Sequence, residues 1–345
     1  MCFCRSLDQG AANSIFQPHP KCNAPLVTHL SFADDVLVFF DGSSASISRI
    51  IQILDDFKAG SGLGINKQKS ALLIDGGDFV RTRSLAAHFD LVQGALPVRY
   101  LGVPLMSQKM RRQDYQPLID RINQRFTSWT ARHLSYAGRL QLLKSVIYST
   151  INFWSSIFVL PNQCLLKLEQ MCCAFLWKGA PNSARGAKIA WDVVCTSKDC
   201  GGLGLRRLTA WNKVLALKLI WLLFSAAGSL WVSWVRLNLI GNRCFWDLNP
   251  SSSGSWIWRR LCKLRPLARP FIFCELGSGV GSPVRDAISG PSWRIMSSRS
   301  RNPTISLIKS ILPSPENMIE SLHDDTYLWS PDHHAPSNMF SAEKT

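Results

Sequence analysis

The stretch THLSFADDVLVFFDG, residues 28–42, places two adjacent carboxylates, Asp34 and Asp35, at the bend between two apolar runs. His29-Leu30-Ser31-Phe32 predicts a short strand, Ala33-Asp34 a tight turn, and Asp35–Phe40 a second strand rich in β-branched and aromatic residues. Asp41-Gly42 closes the pair, and Ser43-Ser44 predicts the cap of a following helix. Like charges side by side on an apolar hairpin repel, so a compensating group is expected. A hard divalent cation such as Mg²⁺ supplies one and also recruits phosphates. Taken alone, an Asp-Asp pair in a turn is usually a solvated loop.

Downstream, Ile47, Ile50, Ile51, Leu54 and Phe57 fall on one helical stripe that Gly60 and Gly62 end. Gly64-Ile65-Asn66 and Ala71-Leu72-Leu73-Ile74 predict strands on either side of the polar run Lys67-Gln68-Lys69-Ser70. The middle of the chain is helical. Leu118, Ile119, Ile122, Phe126 and Trp129 form one stripe, and Leu140, Leu143, Ile147 and Ile151 a second that starts at Ser135. A third helix follows Pro161 through Leu165, Leu168, Met171, Cys172, Phe175 and Leu176, and Leu205–Phe224 supplies another. From about Glu275 the periodicity fails among Gly, Pro and Ser, and the tail from Pro313 reads as loose.

Charge divides the chain of 345 residues. The formal net charge is +16, yet residues 1–98 sum to −1 and residues 274–345 to −2, whereas residues 99–190 carry +10 and residues 191–273 carry +9. A solvated surface mixes its signs more evenly, so the middle reads as a clamp for phosphate backbones. Arg111, Arg112, Arg121, Arg125, Arg132, Arg139 and Lys144 are the candidate nucleic-acid contacts, the alternative being the wet side of a helical bundle. Trp129, Trp154, Trp177, Trp191, Trp211 and Trp221 have apolar neighbours and read as core rather than as base-stacking platforms.

Eleven scattered cysteines with no Cys-x-x-Cys pair exclude a disulfide framework and a zinc ribbon; buried thiols in a reducing compartment, nucleus or cytoplasm, are expected. The doublet His333–His334 lacks partners at ligand spacing. The uncharged run between Lys218 and Arg236 is diluted by Ser and Gly and predicts two buried helices broken near Gly228-Ser229, not a membrane span. Gly201-Gly202-Leu203-Gly204 lacks the Gly-Lys-Ser/Thr ending of a phosphate cradle and reads as a turn.

Taken together, THLSFADDVLVFFDG, SGLGINKQKS (61–70) and LPVRYLGVPL (96–105), in that order and spacing, resemble reverse transcriptases of plant LINE-type (non-LTR) retrotransposons. The resemblance continues through residues 134–154, AFLWKG (174–179), AWDVVC (190–195) and residues 201–221. It implies an α+β fold: a partial palm at 1–98, a primer-grip and basic helical thumb at 99–190, a helical connection at 191–273, and an irregular linker at 274–345. It also implies Asp34 and Asp35 as catalytic and metal-binding carboxylates, with Mg²⁺ as cofactor. Lys67, Lys69, Tyr100, Leu101 and Gly102 become nucleotide or primer contacts, and an RNA template with a DNA primer the partners. In that family a further palm carboxylate and a substrate motif precede the Asp pair, and a Cys/His module follows the thumb. Neither has a counterpart in this sequence, so a chain truncated at both ends and without polymerase activity is expected. A catalytically silent binding module and a product that does not fold stably are the alternatives.

Overall fold

The computed structural model describes residues 3–74, 79–106, 108–130, 134–182, 187–225, 228–249, 254–275, 288–289, 292–297, 303–312, 314, 326–331, 335–342 and 345. Arg132, Cys2 and the His333–His334 doublet lie outside them. Helices and small sheets mix as an α+β chain. It divides into two compact units, one of residues 1–210 with 228–260 and one of residues 211–227 with 261–345.

The first unit begins with α1 (Phe3–Ala12), the hairpin β1 (His29–Phe32) and β2 (Asp35–Val38), and α2 (Ser44–Ser61). The Ser43 hydroxyl accepts from the Ser46 amide at the start of α2, and Gly62, at φ 76°, ends it by donating to the Lys58 carbonyl. Two small cores share α2. Ile50 meets Leu7 and Phe16 on one side, while Ile47 meets Leu72 and Ala86 on the other. Gly10 lets α1 approach α2, because a Cβ there would stand 2.8 Å from Ile53 Cδ1. The predicted strand at Gly64-Ile65-Asn66 does not form. The Asn66 side chain instead accepts from the Lys69 amide and winds Lys67–Lys69 into a 3₁₀ turn, local bonding that outcompetes an extended ladder. Only Ala71–Leu72 is strand (β3), paired in parallel with β4 (Val92–Gln93) beside α3 (Phe79–His88).

After the hairpin β5 (Val98–Tyr100) and β6 (Val103–Leu105) comes the largest core. Helix α4 (Arg112–Thr130) buries Leu118, Ile122 and Phe126, the predicted stripe, and Phe126 stacks on Phe175 of α7 (Asn162–Lys178) with ring centroids 4.5 Å apart. Between them, α5 (Tyr136–Leu142) and α6 (Tyr148–Ile157) are joined by a π turn over Leu143–Ile147. That extra residue re-aims the apolar face, so Leu143, Ile147, Ile151 and Trp154 all reach the core. Buried Glu169 of α7 accepts from the Leu208 amide at 2.7 Å and from Arg207 Nε, which ties the start of α9 (Leu208–Leu222) to the bundle. Arg207 also pairs with Asp192 of the short helix α8 (Trp191–Val194).

The glycine run at 201–204 is a turn. Its four amides donate to Lys198, Ser197, Val194 and Thr196 carbonyls, so none is left for a phosphate, and a Cβ at Gly202 would stand 2.2 Å from the Thr196 carbonyl oxygen. Of the six tryptophans read as core, Trp154, Trp211 and Trp221 are buried and the other three half-buried. α9 ends before Gly228, and α10 (Leu230–Val235) follows it, the predicted break. Among the described residues no helix is long and apolar enough to cross a membrane.

After α11 (Trp256–Lys263) and α12 (Arg265–Ala268), strand β7 (Ile272–Glu275) of the second unit pairs antiparallel with a strand far along the chain, Thr326–Trp329. Trp329 is fully buried there, stacked on Phe271 and touching Trp221 and Phe340, with its indole N–H donating to Thr345 Oγ1. The tail that reads as loose in the sequence thus contributes a core residue, because a ladder so distant in sequence leaves no local periodicity.

Phe126→Ala should cost about 3–5 kcal/mol of stability, read as a loss in denaturant midpoint, since it removes a buried ring from a stacked pair. Burial pushes the Cys164 and Cys195 thiols up to about 12 and Cys172 higher still. A thiol reagent on the native protein should therefore modify exposed Cys200, Cys244 and Cys274 and reach buried Cys164 and Cys172 only after denaturation.

Candidate functional site

The Asp pair sits where the sequence places it. Phe32 pairs with Asp35 at the end of the hairpin, and Ala33-Asp34 form a two-residue turn with Ala33 in the left-handed region at φ 52°. A side chain is disfavoured there, which stores strain at the bend beside both carboxylates. Asp34 and Asp35 are exposed, as are neighbouring Leu30, Phe32 and Val36, with Phe32 63% accessible. The hairpin is pinned to α1 through Thr28, whose buried hydroxyl donates to Asp8 and lies 2.8 Å from His29 Nδ1. Sequence reasoning missed this Asp8–Thr28–His29 contact, since nothing in the local pattern relates residue 8 to residue 28.

The donor set does not fit a two-metal centre. Such a centre needs carboxylates from separate strands around both ions. Among the described residues no group of three or more His, Cys, Asp or Glu side chains converges. Asp41 is committed elsewhere: burial pushes its carboxyl up, but bonds from Ser43 and Ser46 outweigh this and hold it below its ordinary value. Asp55 and Asp56 are exposed on α2. No chemical step through a metal is derived for this chain.

Tyr100, Leu101 and Gly102 form the second hairpin bend. Leu101 (φ 51°) and Gly102 (φ 82°) are both left-handed, the backbone of a type I′ turn, and Tyr100 pairs with Val103. Lys67 and Lys69 stand on the 3₁₀ turn, with Lys69 exposed and Lys67 half-buried. Among the described residues the two hairpins belong to separate two-stranded sheets, so no continuous sheet joins the Asp pair to the second bend.

The basic candidates separate into two groups. Arg111, Arg112 and Arg121 are exposed on α4 or at its start, with no carboxylate at ion-pair distance among the described residues. The Arg111 guanidinium donates to the Gln108 side chain and its backbone amide to Asp114. Arg125, Arg139 and Lys144 turn inward. Arg125 donates to Thr150 Oγ1 at 2.6 Å, Arg139 to the Leu134 and Leu176 carbonyls, and Lys144 Nζ to the Leu203 carbonyl at 2.6 Å. Desolvation, then the nearby Lys198 charge, lower the Lys144 pKa. Arg125 and Arg139 hold helices to one another, and Lys144 holds its helix to the glycine turn.

A cleft of about 230 Å³ opens between α4 and α7, lined by Arg112, Tyr115, Gln116, Ile119, Gln163 and Lys167. The α4 residues recur at i, i+3, i+4 and i+7 and the α7 pair at i and i+4, spacings that were present in the sequence but had no partner face until the helices packed.

The reverse transcriptase (RNA-dependent DNA polymerase) family profile matches residues 6–105. A ribonuclease H protein of Arabidopsis thaliana is 31% identical over 129 residues, 37% of this chain and 21% of that protein. A mitochondrial protein of the same plant is 25% identical over 130 residues, 37% of this chain and 84% of that protein. The chain thus spans about a fifth of the first relative. The matched region contains both hairpins and ends at Leu105, the last residue of β6. Over residues 6–105, then, the chain is similar to the reverse transcriptase family.

Proposed function

We propose that this chain derives from a LINE-type retrotransposon reverse transcriptase and acts, in the nucleus or cytoplasm, as a nucleic-acid-binding module without polymerase activity of its own. The observation that carries the reading is the exposed charge on α4 and at its start: Arg111, Arg112 and Arg121 face solvent, while Leu118, Ile119, Ile122 and Phe126 are buried, and among the described residues no carboxylate stands at ion-pair distance from the three arginines. Such a surface contacts phosphates and releases their counterions, with little dependence on base sequence. RNA and single-stranded DNA are the ligands this reading assigns, with an RNA template and DNA primer as the ancestral pair. The exposed Asp34–Asp35 bend is the polymerase signature. Two neighbouring carboxylates bind a hydrated Mg²⁺ weakly at most, and the two-ion clamp of phosphoryl transfer needs more.

The purified 345-residue chain should therefore not extend a primer on an RNA template in Mg²⁺ or Mn²⁺; incorporation that disappears in Asp34→Ala would overturn this. The logarithm of the RNA binding constant should fall linearly with the logarithm of salt concentration. Arg111→Gln and Arg121→Gln should each reduce the slope by about one. Arg125→Gln should lower the melting temperature and leave the slope near that of the parent, which separates phosphate contacts from helix-holding cations.

A further inference from the structure

The α4–α7 cleft adjoins the open basic face and shares Arg112 with it. Its cations, Arg112 and Lys167, are exposed, hydrogen-bond to no described residue and pair with no carboxylate. Tyr115 is 5% exposed, lines the cleft, and its hydroxyl has no hydrogen-bond partner among the described residues. That hydroxyl stays accessible to solvent, since the buried polar side-chain atoms without a partner among the described residues are the Trp177 and Trp191 indole nitrogens, so it is free to bond a ligand oxygen. Gln163 adds an uncommitted amide. Gln116 spends its amide nitrogen on Asp120. Nearby Asp114 is taken by the Arg111 amide at 2.6 Å. Pro161 starts α7 without a side-chain cap, so the first amides beside Gln163 keep their partial positive charge. Ile119 and the Tyr115 ring supply an apolar wall.

From this donor set we propose that the cleft binds a phosphate monoester joined to a nucleoside. Two unpaired cations match a monoester, which carries about −1.5 to −2 at neutral pH, better than an internal phosphodiester with its single charge. A volume of about 230 Å³ is below the roughly 300–1,000 Å³ that encloses a drug-sized molecule, and it suits a phosphate with its sugar while the base remains at the rim. The monoester comes either from the phosphorylated end of a nucleic-acid strand or from a free nucleotide. Only the strand-end source rests on the nucleic-acid-binding reading above.

The test compares oligonucleotides of one sequence bearing a phosphate at the 5′ end, the 3′ end or neither, by fluorescence anisotropy, and adenosine monophosphate against adenosine by calorimetry. For a strand end, one phosphorylated oligonucleotide should bind about tenfold more tightly than the unphosphorylated one, the contribution of one charge-assisted hydrogen bond. Lys167→Gln should abolish that preference and Tyr115→Phe reduce it, whereas Arg121→Gln, outside the cleft, should weaken both oligonucleotides alike and keep their ratio. For a free nucleotide, adenosine monophosphate should bind the parent and not Lys167→Gln, even if no oligonucleotide binds. No preference for a terminal phosphate together with no binding of adenosine monophosphate would overturn the proposal. A preference that persists in Lys167→Gln would overturn it equally.

Discussion

The stacked contact between Phe126 and Phe175 joins α4 to α7, and much of the rest of the first unit is arranged around that joint. With their apolar stripes buried against each other, the polar sides of both helices are forced outward. One consequence is the exposed row of arginines on α4. Another is the cleft, whose two walls are the flanks of the same two helices. Trp129, which also contacts both rings, extends the joint toward the end of α4.

Polar groups then set which cations are free. Buried helix ends leave carbonyls without partners, and long cationic side chains satisfy them. Arg139 reaches the Leu176 carbonyl near the end of α7, and Lys144 reaches Leu203 in the glycine turn. Glu169 does the reverse service for the amide of Leu208. A strongly positive net charge is therefore not a uniform binding surface: part of it is internal scaffolding and part is available to phosphate.

The segment that matches the reverse transcriptase profile obeys different constraints. Its cores are small, and its hairpin exposes Leu30, Phe32 and Val36 beside the Asp pair. Two left-handed non-glycine residues, Ala33 and Leu101, sit at its two bends. Strained positions persist where surrounding structure or function holds them, and here both coincide with the residues that carry the family resemblance.

The sequence by itself determined the elements whose signals are local. Alternating apolar runs around Asp34-Asp35 fixed the hairpin, helical spacing fixed the stripes of α2, α4 and α7, and Ser43 and Gly62 marked where α2 begins and ends, since capping depends on residues a turn apart. Tertiary structure alone decided the rest. Arg121 and Arg125 are one helical turn apart and chemically identical, yet one faces water and the other holds Thr150, because only packing puts a second helix beside one of them. The same holds for Trp329, whose partner strand lies far along the chain, and for Lys167, an ordinary surface lysine until α4 places Arg112 and Tyr115 across from it.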